Sequence, residues 1–150
     1  MLSTTSTYAL RALSRLALEP EGGSLLGRDL AREAHVPEQY LPKLMLVLRH
    51  AGLVGAARGT GGGYHLERSP RQIRLLEVVE AFEGPVGEPG CLLGVNPVCM
   101  ETNPCAGHTA WKRVRDEYLR FLTQTTIEDL AARKPERWMP VKDPGSGGQP

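Results

Sequence analysis

A stretch rich in glycine and proline, from Gly84 to His108, divides the chain and limits what it can fold into. It reads Gly84-Pro-Val-Gly-Glu-Pro-Gly-Cys91, then Leu-Leu-Gly-Val-Asn-Pro-Val-Cys99, then Met-Glu-Thr-Asn-Pro-Cys105-Ala-Gly-His108. Proline has no amide hydrogen and glycine no Cβ, so a regular helix or strand is ruled out here. All 3 cysteines of the 150 residues fall inside it. A thiol used for packing behaves as a small hydrophobe and belongs on an apolar face. These sit where no core is being made. Thiolates select zinc, copper(I) or iron-sulfur clusters and imidazole suits zinc and iron, which makes Cys91, Cys99, Cys105 and His108 a candidate ligand set. The competing reading is scattered, unreactive thiols. An odd cysteine count argues against a disulfide framework. The run after His108 reads as helix, so Cys105 and His108 could share a face of its first turn, where the positive end of the helix favours thiolate.

Charge separates the two sides of this loop. Residues 1–75 hold 10 Lys/Arg against 6 Asp/Glu, a balance of +4, whereas residues 76–150 hold 8 against 11, a balance of −3. The front half is therefore the candidate for a polyanionic partner. No run of about 18 apolar residues and no signal-type N-terminus occurs, from which a cytoplasmic chain with no membrane role is expected. No internal repeat is visible.

Ahead of the loop, Ser3 to Ser6 offer N-caps, and Ala9, Leu13, Leu16 and Ala17 recur at helical spacing through Leu18. A second helix is expected from Ser24, with Leu26, Leu30, Ala31 and Ala34 inward and Arg28, Asp29, Arg32 and Glu33 outward. After His35-Val36-Pro37 a third helix places Leu41, Leu44, Met45 and Leu48 on one stripe and closes at Gly52. Two helices joined by a tight connection, the second amphipathic, have the form of a helix-turn-helix, which by itself is a weak signal. Leu53 to Arg58 and Tyr64 to Leu66 read as strands, joined by a mobile, side-chain-poor turn from Gly59 to Gly63. A hairpin directly after a helix-turn-helix is a wing, with Arg58 at its tip. The glycine run is no phosphate loop, because a strand rather than a helix follows it and it has no Gly-Lys-Ser/Thr close.

Within Pro70 to Glu83, Ile73-Arg74-Leu75 reads as a short apolar segment, followed by a helix with Leu76, Val79 and Phe82 on one side and a solvated face of Glu77, Glu80 and Glu83 on the other. Beyond the loop, Trp111, Val114, Tyr118, Phe121 and Thr125 form a heptad-like seam on an otherwise charged helix. That seam needs a cover, either the first helix or a second copy of the chain; a two-fold pair suits a winged domain that grips few base pairs alone. Thr126 and Asp129 resemble a capping arrangement opening a last short helix through Ala132. The tail from Pro135 has the composition of a disordered terminus.

The expected fold is mainly α with a small β-hairpin wing: a winged helix-turn-helix plus a long C-terminal dimerisation helix. The divisions are a DNA-binding domain over 1–83, a cysteine-rich loop over 84–108, a dimerisation helix over 109–134 and a tail over 135–150. On the outer face of the third helix, Gln39, Tyr40 and Lys43 are the candidate DNA contacts, with Arg58 reaching the minor groove.

Helix, helix-turn-helix, Gly52-Leu-Val54, Arg58-Gly59, Gly61-Gly62-Gly63-Tyr64 and a three-cysteine loop before a long helix follow in an order that resembles the Rrf-two family of winged-helix regulators. The likeness covers residues 1 to about 134, and its most specific blocks are Arg58 to Leu66 and Cys105-Ala-Gly-His108-Thr-Ala-Trp111. It implies a homodimeric transcriptional regulator, a repressor, that binds a palindromic operator under control of an iron-sulfur cluster sensing iron, redox state or nitric oxide. The cluster ligands implied are Cys91, Cys99, Cys105 and a fourth residue. In the IscR-like pattern that fourth ligand is His108. In the NsrR-like pattern it is an acidic residue of the partner's first helix, and Thr7-Tyr8-Ala9 offers no carboxylate there. A two-iron cluster is favoured over a four-iron one, although the Cys91-to-Cys99 spacing resembles RirA-like members. Pro42, where the family often has a polar residue, is expected to remove a backbone hydrogen bond from the recognition helix and bend it.

Two other readings remain at this stage. A Cys-Cys-Cys-His set also suits tetrahedral zinc in a DNA-binding module without redox sensing. A redox enzyme or cluster carrier is disfavoured by the lack of a Cys-x-x-Cys pair, a nucleotide loop or a nucleophile-base pair, so no enzyme is expected.

Overall fold

The computed structural model describes residues 2–59, 62–86, 90–94 and 99–133. The tip of the expected wing turn, Thr60-Gly61, and the tail from Pro135 lie outside the described residues. Helix α1 spans Thr4–Leu16 and is capped by Ser3, whose Oγ accepts the Ser6 amide at 3.1 Å. Ala9, Ala12 and Leu13 are fully buried, because α1 touches the second, third, fourth and last helices and the second strand. A helix buried on most sides is the centre of its domain rather than a surface element. It stops at Leu16 and leaves Leu18 exposed, since the residue before Pro20 is biased out of the helical region.

Helix α2 (Gly27–Ala34) and helix α3 (Leu41–His50) form the helix-turn-helix. His35 closes α2 in the left-handed region at φ 52°, and the Val36 amide donates back to Ala31 O at 2.9 Å. This six-to-one closure turns the chain within two residues and buries Val36. Leu41, Leu44, Met45 and Leu48 are each no more than 1% exposed, as the stripe requires. Pro42 is the second residue of α3, where an amide has no intrahelical acceptor to lose. The expected lost bond and bend therefore do not arise. Gly52, at φ 71°, takes the chain out of α3.

Strands β1 (Val54–Ala57) and β2 (Gly63–Leu66) pair antiparallel, with Val54 opposite Leu66 and Ala57 opposite Gly63. Leu25 joins their edge: its amide donates to Tyr64 O at 3.0 Å, and the Tyr64 amide donates to Leu25 O at 2.7 Å. This bridge explains two departures from the sequence reading. Helix α2 begins at Gly27 rather than near Ser24, and Leu26, expected inward, is 50% exposed at the helix's N-terminal boundary. The expectation of a mobile glycine turn is also revised where the chain is described. A Cβ on Gly62 would stand 2.5 Å from Ala57 O, and one on Gly63 would stand 2.3 Å from Leu25 O. These glycines permit close backbone packing.

After a 3-10 turn at Pro70–Gln72, helix α4 (Leu75–Glu83) buries Leu75, Val78 and Val79. Its carboxylates are not simply solvated. Arg68 Nη2 donates to Glu77 at 2.6 Å, and Glu83 accepts Ser6 Oγ at 2.6 Å and the Ser3 amide at 2.9 Å. Burial opposes charge on Glu83, but the hydrogen bonds from Ser6 and Ser3 prevail and hold its carboxyl below the usual range. Glu77 is lowered likewise, burial being outweighed by bonds from Arg68 and the Arg74 amide. Both groups have a depressed folded pKa, so they stabilise fully above the unfolded value of about 4.3 and lose that contribution as pH falls through the lower folded value. An acid melt should therefore show Glu83→Gln lagging the parent chain at pH 7 and closing the gap as pH falls through the lowered folded value.

Helix α5 (His108–Gln124) packs on α4 and buries Leu122 completely. Arg74 Nη1 donates to Gln124 O at 2.9 Å, placing a cation at the negative end of α5. Helix α6 (Ile127–Ala131) opens with the expected capping box: the Asp129 amide donates to Thr126 Oγ1 at 3.2 Å and the Thr126 amide to Asp129 at 2.8 Å. Backbone bonds from Leu75 to Thr125 O and from Ile127 to Ile73 O stitch this end to the root of α4. Among the described residues, no helix is long and apolar enough to cross a membrane.

Candidate functional site

Two regions carry the functional candidates. The first is the outer side of the helix-turn-helix. Gln39 and Tyr40 lie in the turn just before α3 rather than on the helix itself, and Lys43 lies within α3; all three are exposed. The Tyr40 ring meets Tyr8 edge-on at 6.0 Å, and the Arg11 guanidinium stands 6.0 Å from the Tyr8 ring centre. Tyr40 thus fastens the turn to α1 while keeping its outer edge open. The same face carries Leu46, Arg49 and His50, all exposed and not singled out from the sequence. Their spacing of three and four from Lys43 and Leu46 held the signal, since it is the complement of the buried stripe. Arg58 follows β1 directly and is exposed, as a wing-tip cation must be.

The second region is the cysteine loop. Pro and Gly around Cys105 end irregular chain, and the His108 amide donates to Cys105 O at 3.0 Å where α5 begins. Cys99 Sγ lies 3.1 Å from His108 Nδ1, so these two candidate ligands are already neighbours at the root of α5. Trp111 Nε1 donates to Gly90 O at 3.3 Å, and Lys112 pairs with Glu101, tying both arms of the loop to the first turns of the helix. Burial of Glu101 is negligible, and the Lys112 hydrogen bond holds its carboxyl below the usual range. Cys91 and Cys105 are half-buried. Among the described residues, no group of three His, Cys, Asp or Glu side chains converges, and Cys99 with His108 is a candidate pair in contact. Residues 95–98, which connect Cys91 to Cys99, lie outside the described residues.

A family model described as "Rrf2: Iron-dependent Transcriptional regulator" matches residues 2–133. The chain belongs to the Rrf2 family. Its winged helix-turn-helix is accordingly that of a DNA-binding transcriptional regulator, and its relatives are regulators, not enzymes. The HTH-type transcriptional regulator CymR of Bacillus subtilis is 33% identical over 132 residues, 87% of this chain and 89% of that protein. IscR of Pectobacterium carotovorum is 30% identical over 133 residues, covering 89% of this chain and 80% of IscR. In three dimensions, the structure of B. subtilis CymR, described as a global cysteine regulator, superposes with a TM-score of 0.74 at 33% identity, covering 88% of this chain and 96% of that one. T. potens IscR superposes with a TM-score of 0.71 at 27% identity, covering 95% and 93%. A family described as iron-dependent thus includes a regulator described by cysteine, and the chemistry of this member rests on its own residues.

Proposed function

We propose that this Rrf2-family regulator is a homodimeric repressor of a palindromic operator, and that Cys91, Cys99, Cys105 and His108 hold an iron-sulfur cluster that reports iron, redox state or nitric oxide. The observation that carries the reading is the Cys99 Sγ to His108 Nδ1 contact of 3.1 Å at the head of α5, within a loop holding every cysteine of the chain. The donor chemistry fits: three thiolates suit an iron-sulfur cluster, and an imidazole among them favours a two-iron over a four-iron form. A family described as iron-dependent supports it further. When bound, the cluster would supply a centre whose oxidation state and integrity respond to the cell's redox chemistry.

Everything else is work for the chain itself. Its loop leaves α4 at Gly84 and rejoins regular structure at His108, so drawing four ligands to one point fixes the segment between them against the head of α5. Helix α5 turns Leu122 and part of Tyr118 toward the core and leaves Val114 51% and Phe121 46% exposed. That outward apolar face, edged by Arg113, Glu117 and Arg120, is the surface for a second copy. Two copies set the separation of their α3 helices, and a loop braced on α5 can bias that separation. Gln39, Tyr40 and Lys43 address the major groove and Arg58 the minor groove. By domain, residues 1–83 bind DNA, 84–108 sense, and the helix that follows pairs the protomers.

Oxygen-free purification tests this directly. The expected preparation is brown, with iron and acid-labile sulfide in comparable amounts, elutes as a dimer, and changes its retention of promoter fragments when the metal is stripped. Colourless, zinc-loaded protein would assign the site to structural zinc. Neither metal, with unchanged DNA retention, would overturn the reading.

A further inference from the structure

The outer face of α3 carries an apolar patch that the reading above leaves idle. Leu46 is 53% exposed, and Pro42, one turn before it, is exposed as well. Lys43 precedes Leu46 by three positions, and Arg49 and His50 follow by three and four, all of them exposed. Leu46 is therefore at the middle of a face rimmed by cations. A single exposed leucine is ordinary. This one is pinned outward, because turning α3 to bury it would bring out Leu41, Leu44, Met45 and Leu48, each at most 1% exposed.

The cationic rim matches a polyanion, and an α-helix fits the major groove of B-form DNA. In that groove the base edges are hydrogen-bonding atoms with one hydrocarbon exception, the 5-methyl group of thymine. We propose that Leu46, with Pro42 beside it, determines sequence specificity by packing on thymine methyl groups, so that each half-site carries thymine beneath the middle of α3. This rests on the DNA-binding reading and adds a base preference to it. Gln39 and Lys43 can hydrogen-bond base edges, but neither offers a comparable apolar surface to a methyl group. Burying one methyl corresponds to about a fourfold gain in affinity for each half-site.

The test begins with selection from random duplex DNA by the full chain. Each thymine of the recovered site is then replaced in turn by deoxyuridine, which keeps the base pair and removes only the methyl group. The expected result is one position per half-site at which wild-type binding falls about fourfold, with Leu46→Ala binding the thymine and uracil duplexes alike. Circular dichroism of Leu46→Ala should match the parent, since the side chain packs on no core. Tolerance of every uracil substitution by the wild type would overturn the proposal, as would Leu46→Ala that keeps the discrimination. Failure to enrich any sequence would instead bring down the DNA-binding reading, and this inference with it.

Discussion

Gly63→Ala should detach the wing and lower stability by about 3 kcal/mol, a fall of roughly 10 °C in melting temperature for a domain of this size. Gly63 sits at φ 144°, a region that side-chain-bearing residues rarely adopt. The added methyl would lie 2.3 Å from Leu25 O, 2.5 Å from Leu25 C and 2.9 Å from Leu26 N, all rigid backbone atoms. Something must give, and what gives is the reciprocal pair of bonds between Leu25 and Tyr64, at 3.0 and 2.7 Å. Those bonds hold the hairpin to the entry of α2. Losing both costs about 1 kcal/mol each, and the strain adds about 1 kcal/mol more. DNA retention should fall with stability, because Arg58 is presented from the other strand of the same hairpin. A thermal melt and a gel shift on Gly63→Ala check the two effects separately. A variant as stable as the parent would mean that the wing is not fastened through Leu25.

The same bridge shows where the sequence was legible and where it was not. The stripe at Leu41, Leu44, Met45 and Leu48 and the box at Thr126 and Asp129 are local patterns: period and capping chemistry lie within a few residues, so both emerge as read. Leu25 pairing with Tyr64 joins positions far apart in sequence, and nothing near Leu25 announces it. Helical periodicity therefore overran Ser24 to Leu26 and turned Leu26 inward. Pro42 misled differently. Proline is costly only inside a helix, and whether position 42 is inside depended on a boundary that periodicity does not fix to one residue. The acidic side of α4 failed for a third reason, since Ser3 and Ser6 reach Glu83 from the other end of the domain.

The candidate site was legible as a set of residue types rather than as a geometry. Thiols crowded between prolines stand out in any sequence, and the helical start after His108 is where α5 begins. The contact of Cys99 with His108 was not foreseeable, because the pairing suggested by spacing alone was Cys105 with His108. On α3 the polar candidates were found because polar side chains draw notice. Leu46 was passed over as one more leucine, although its place outside the i, i+3, i+4 stripe marked it as exposed.

Cys99→Ala should reduce iron in anaerobically prepared protein by at least about tenfold and remove its colour. The substitution deletes the sulfur beside His108 Nδ1 and leaves Cys91, Cys105 and the imidazole, one ligand short of a closed set. Folding should hardly notice. Cys99 is half-buried in an irregular loop outside the core, so the metal-free variant should melt within about 0.5 kcal/mol of the metal-free parent. Loss of iron without loss of fold separates a ligand from a packing residue. His108 then distinguishes ligand from hydrogen-bond partner: His108→Cys should keep iron, because a thiolate can replace an imidazole at iron, whereas His108→Ala should not. Iron retained by Cys99→Ala would remove that residue from the ligand set. Iron lost from every variant with operator binding unchanged would place a metal in the loop but overturn the proposed link to DNA through the bracing of α5.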